Sequence, residues 1–220
     1  MVWEGPADAM IPPLDELSLL LKRRLGDGAG GRPLPGATAH NRMAPRPRRA
    51  SAPSRPLVDA AVLVLLYPLD GRAAFVLTER TSTVTHHRSQ VSLPGGRREG
   101  EETLPAAALR EAREELAVDP ESLDVIGLLS PLAVSVSGFL VHPVVAWTTR
   151  RPDFKADPSE VADVIEVSLE TLADPHARKR ETRSIDGMDR EIPFFELHGH
   201  KVWGATAMTL SELLAILDDL

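Results

Sequence analysis

The sequence predicts an α/β fold of the α+β kind: one mixed β-sheet with helices covering both of its faces. Three observations carry that expectation. Strand-length apolar runs recur along the chain with helical stretches between them, yet there is no regular strand-helix repeat, which argues against a purely parallel sheet. Two of those runs, residues 59–67 and 73–79, flank Pro68, Asp70 and Gly71, a spacing that predicts paired strands joined by a turn. Residues 103–116 combine a capping threonine, a proline in the first turn and mostly strong helix formers, which makes them the best helix in the chain.

In chain order, Leu14, Leu17, Leu19, Leu20, Leu21 and Leu25 predict a short helix over residues 13–25 with one apolar side. Between residues 28 and 58 there is no acidic residue, whereas Arg32, Arg42, Arg46, Arg48, Arg49 and Arg55 fall there among prolines, glycines and alanines. A solvated linker is the preferred reading, with a phosphate-reading arm as its alternative. After the hairpin, residues 90–93 are a third short extended piece, stopped by Pro94, Gly95 and Gly96, where a chain can turn sharply and expose its backbone. Beyond the central helix, strand-like runs fall at 125–129, 140–147, 164–167 and 192–197, followed by an apolar, amphipathic helix over 209–217. His198 and His200 alternate across Gly199, and an exposed hairpin tip is preferred there over a pair of metal ligands. The expected division is an N-terminal helix with its basic linker, 1–57, followed by one domain, 58–220.

Composition narrows the function. Of 220 residues, 43% are apolar, enough for one well-buried domain. The longest apolar run, 60–67, is far short of the roughly 20 residues that span a bilayer. Glu4, Asp8, Asp15 and Glu16 argue against a secretory signal or a transit peptide, so a cytoplasmic protein with no membrane partner is expected. The formal net charge of −7 disfavours a general nucleic-acid surface. With no cysteine, any metal must be held by oxygen or imidazole, and hard cations such as magnesium lead.

On the central helix, Glu111, Glu114 and Glu115 stand at i, i+3 and i+4 and therefore share one face. Such like-charge neighbours cost about 0.2–0.5 kcal/mol per pair. A bound divalent cation would compensate, and a charged solvated face with Arg110 and Arg113 is the plainer alternative. The glycine turn upstream shifts the balance, because diphosphate chemistry needs converging oxygens and open positions. Glu102, eight residues before Arg110, can pair with it and hold the loop down.

Residues 96–118, GRREGEETLPAAALREAREELAV, resemble the Nudix box: Gly96, Glu102, Arg110, Glu111, Glu114 and Glu115 all match in register. The departures are Ala117, where glycine is usual, and a small Ala112 at an apolar position. The resemblance implies a Nudix-like α/β/α sandwich. It also implies Glu114 and Glu115 as ligands of magnesium or manganese, Glu111 as a further ligand or base, the Gly95 carbonyl as another ligand, and Arg110 orienting the glutamates. Gly96 and Glu102 are implied to be structural.

Residues 77–96, LTERTSTVTHHRSQVSLPGG, are similar to the signature of the coenzyme A diphosphatase branch, matching at Arg80, His87, Gln90, Pro94, Gly95 and Gly96. Ser89, Leu93 and Thr81 depart from it. Later stretches, VIGLLSPLAVSVSGFLVHPVVAW, PSEVADVIEVSL and VWGATAMTLSEL, also look like this branch. The implied reaction is hydrolysis of coenzyme A or its thioesters to 3′,5′-ADP and 4′-phosphopantetheine. The resemblance implies substrate contacts by Arg80, His87 and Gln90, with Glu160 as a second-rank base or outer ligand. From the residues alone, His87 is equally well a solvated side chain. The alternatives are a pyrophosphohydrolase acting on ADP-ribose or another nucleoside diphosphate derivative, and a non-catalytic nucleotide sensor. A small-molecule substrate is the expected partner, and a homodimer is one expectation for assembly.

Overall fold

The computed structural model describes residues 11–26, 33–47, 56–81, 90–185 and 187–220. Among the described residues the main sheet has eight strands. Val58–Leu69 (β1) and Arg72–Arg80 (β2) form the predicted hairpin. Val91–Ser92 (β3), Gly95–Arg97 (β4), Asp124–Leu128 (β5), Leu132–Val134 (β6), Phe139–Trp147 (β7) and Val161–Ser168 (β8) complete the sheet. All pairings are antiparallel except β1 with β7, so the sheet is mixed as predicted.

The hairpin strands pair only near their turn, Leu66–Leu69 against Arg72–Phe75. Beyond that they part, and the connection from β3 to β4 fills the gap, β4 pairing with β1 and β3 with β2. This split places the Gly95–Gly96 backbone inside the sheet rather than on a surface loop.

Alternation along β1 builds two cores. Ala61, Leu63, Leu65 and Tyr67 face the helix Leu104–Leu116 (α3), whose Ala107, Ala108, Ala112 and Leu116 are fully buried. The small alanines let the helix lie close, which explains why Ala112 serves where a larger apolar residue is usual. Val64 and Leu66 face the other way, toward the helices Leu14–Leu25 (α1) and Gly204–Leu217 (α5) and a second, three-stranded sheet. That sheet comprises Arg178–Ile185 (β9), Met188–Leu197 (β10) and His200–Trp203 (β11), all antiparallel, and a short helix Leu169–Ala173 precedes it.

Two expectations need correction. The stretch read as a linker contains a helix, Gly36–Arg42 (α2), docked on α5 by buried polar contacts. His40 Nε2 lies 2.9 Å from Glu212 Oε2, the Ser211 hydroxyl donates to the Ala39 carbonyl, and the Ser130 N–H donates to the Glu212 carboxylate. The C-terminal helix begins at Gly204, five residues earlier than expected, and is buried nearly all round rather than amphipathic, because α2, β10 and β11 pack around it. Among the described residues no helix is long and apolar enough to cross a membrane.

Candidate active site

Helix α3 starts on the side chain of Thr103, which accepts from the Ala106 N–H, and packs against β1, β4 and β7. Burying its alanine face turns Glu111 and Glu115 toward the split in the sheet. Glu115 is only 5% exposed. Its carboxylate receives two long hydrogen bonds, from the Gly95 N–H and from the Thr78 hydroxyl, each at 3.5 Å. Loss of water therefore dominates and pushes its pKa up to about 7; the Gly95 bond and Arg80 oppose that rise, while Glu111 and Glu160 add to it. Glu111 is raised for the same first reason, partly offset by Arg110. Glu114 stands more in solvent, with 56% of its side chain exposed.

Both glycines are required by contact. At Gly95, φ is +153°, and a Cβ there would lie 2.4 Å from the Ala61 carbonyl oxygen. At Gly96 a Cβ would lie 2.4 Å from Glu111 Oε1, so the missing side chain makes room for that carboxylate.

Arg110 ties these parts together. Its Nε and Nη2 donate to Glu102 at 3.2 and 3.0 Å, its Nη1 donates to Glu111 at 2.9 Å and Glu114 at 3.0 Å, and Nη2 also reaches the Arg97 carbonyl. The fork geometry of guanidinium permits this shared clamp, which a lysine could not reproduce. Glu102 also accepts from the Glu99 N–H, so it anchors the loop.

Across the cleft, Arg80 Nη2 lies 3.7 Å from Glu160 Oε2, and the Glu160 carbonyl accepts from the Thr81 N–H. A cavity of about 480 Å³ opens beside the glycines. Arg80, Gln90 and Arg97 line its polar side, and Val134, Val136, Phe139 and Val141 its apolar side. The start of α5 contributes Thr206 and Thr209.

The structure brings Glu102, Arg110, Glu111, Glu114 and Glu115 together beside Gly95 and Gly96, lines the cavity with Arg80, Gln90 and the same two glycines, and sets Glu160 against Arg80. His87 lies outside the described residues. Sequence reasoning missed Thr78 and the apolar wall; two stretches that supply the wall and Thr206 had been singled out, but only as strings. The donor set suits a divalent cation: buried Glu115 and half-buried Glu111 offer hard oxygen donors, Glu111 adding to the rise in the Glu115 pKa, beside a backbone held open by glycine.

Fold and site together define an α/β protein in which clamped carboxylates from one helix stand against a glycine backbone that also lines a ligand-sized cavity. The NUDIX domain model matches residues 57–186, and the chain belongs to the Nudix hydrolases, a family that uses divalent metals. It is 36% identical to the Nudix hydrolase NudL of Klebsiella pneumoniae (strain 342) over 172 residues, 73% of this chain and 85% of that one. Against NudL of Cronobacter sakazakii (strain ATCC BAA-894) it is 37% identical over 182 residues, covering 78% and 87%. Among solved structures, a Nudix hydrolase of M. smegmatis, RenU, superposes with a TM-score of 0.54 at 22% identity, covering 74% of this chain and 87% of that one, a likeness of fold.

Proposed function

We propose that this Nudix hydrolase cuts the diphosphate bond of coenzyme A or its thioesters with magnesium or manganese, releasing 3′,5′-ADP and 4′-phosphopantetheine or its acyl form. The observation that carries the reading is the buried Glu115 carboxylate beside Glu111, facing a glycine-opened backbone at the edge of a 480 Å³ cavity.

Glu111, Glu114, Glu115 and the Gly95 carbonyl would hold the cation. When bound, it supplies charge neutralisation for the diphosphate oxygens and a lowered pKa for water. Arg110 keeps Glu111 and Glu114 aimed, so that the carboxylates need not reorganise during the reaction. Glu111 first, and Glu160 second, takes the proton of the attacking water. Arg80 pairs with a phosphate oxygen, Gln90 orients the substrate, and the valine and phenylalanine wall accepts its less polar part. The signature at residues 77–96 supports coenzyme A over other diphosphates.

The test is a magnesium-dependent panel of coenzyme A, its thioesters, ADP-ribose and dinucleotides. Coenzyme A or a thioester should be cut fastest, and Glu114→Gln or Glu115→Gln should lower turnover by about 10²-fold or more. Preference for ADP-ribose would overturn the substrate. Background rates throughout, with tight binding of one compound, would make the protein a binder instead.

A further inference from the structure

On the opposite face of the main sheet, Glu79 of β2 and Asp163 of β8 stand directly across from each other in the strand register. Like charges in that position repel. Among the described residues, no lysine or arginine pairs with either carboxylate; His200, the first residue of β11, answers both. Its Nδ1 lies 3.3 Å from Glu79 Oε2 and its Nε2 3.9 Å from Asp163 Oδ2. One ligand atom from each residue lies within 4.8 Å of the others. A zinc-sized ion with bonds of roughly 2.0–2.2 Å needs its donors about 4 Å apart or less, and the half-exposed Asp163 side chain has the freedom to close that gap.

We propose that Glu79, Asp163 and His200 form a second cation site, for a borderline divalent ion such as zinc, separate from the glutamates of α3. Two features separate the sites. Along β2, Thr78 points to Glu115 while Glu79, one residue on, points to the other face. The donor sets also differ: an imidazole with two carboxylates favours zinc, cobalt or nickel, whereas an all-oxygen set suits magnesium. Three protein ligands leave room for water, so the ion would exchange readily. The three donors come from three strands of two sheets, so a bound ion would pin the edge of the second sheet to the end of β2, next to Arg80. His198, at φ +49° in the turn, takes no part.

The test is calorimetric titration of zinc chloride into the full chain with magnesium held saturating. Wild type and the Glu114→Gln/Glu115→Gln double variant should each take up a single equivalent. His200→Ala should weaken that binding by about tenfold or more, and Asp163→Asn, an exposed position that leaves the core untouched, should also weaken it. An isotherm unchanged by either substitution, or no zinc uptake once Glu114 and Glu115 are neutralised, would overturn the proposal.

Discussion

At the scale of single residues, Glu115 shows how a fold stores a need for a ligand. Its folded pKa of about 7 lies above the ordinary 4.5, so the folded state binds more protons between those values. Its stabilising contribution is complete below about pH 4.5 and is lost as pH rises through about 7. Thermal melts in chelator should show the melting temperature falling across that window. Glu115→Gln should flatten the fall and add roughly 1–3 kcal/mol at pH 8. Magnesium should restore the wild-type protein there, because cation and proton compete for one carboxylate. Parallel pH slopes for the two proteins would exclude burial of Glu115 as the cause. The glutamates and glycines of this site were legible in the sequence because helical spacing and a glycine pair are local signals. Thr78 was not, since nothing local distinguishes a strand threonine that meets a carboxylate 37 residues away.

At the scale of elements, α3 ends on Ala117 in the left-handed conformation, φ 56° and ψ 28°, with its N–H bonded to the Arg113 carbonyl. A Cβ in that conformation costs roughly 1–2 kcal/mol. The helix exit therefore keeps the family geometry with a strained residue. Ala117→Gly should raise unfolding stability by about 1 kcal/mol in urea titration, with the magnesium-dependent rate unchanged; no gain would mean that the surrounding contacts relieve the strain. Helix α2 depends on partners instead. Its seven residues carry no apolar stripe, and its docking rests on His40 against the fully buried Glu212. His40→Ala should cost about 3 kcal/mol in the same titration, because among the described residues it leaves that carboxylate buried with the Ser130 N–H as its remaining partner. A loss below about 0.5 kcal/mol would show that α2 contributes little to the fold. This is why residues 36–42 read as linker: their helix is specified by a carboxylate 172 residues away, not by their own pattern.

At the scale of the whole molecule, the parting of β1 from β2 is the decisive feature. It inserts β3 and β4 between them, brings Gly95 to the carboxylates of α3, and leaves Arg80 and Glu160 across the cleft. The same sheet separates Glu115 on one face from Glu79 on the other, so two cation chemistries could coexist on adjacent strand residues. By itself the sequence determined the hairpin and α3 with its row of glutamates, because each rests on local spacing, and the mixed sheet and the kinship to Nudix enzymes, because each rests on the order of such local patterns along the chain. Only the tertiary structure decided which carboxylate loses its water, which side chains wall the cavity, how α2 is held, and that His200 meets Glu79 and Asp163. Burial and cross-strand register are properties of segments far apart in the chain, and no local pattern encodes how far such segments will stand from one another.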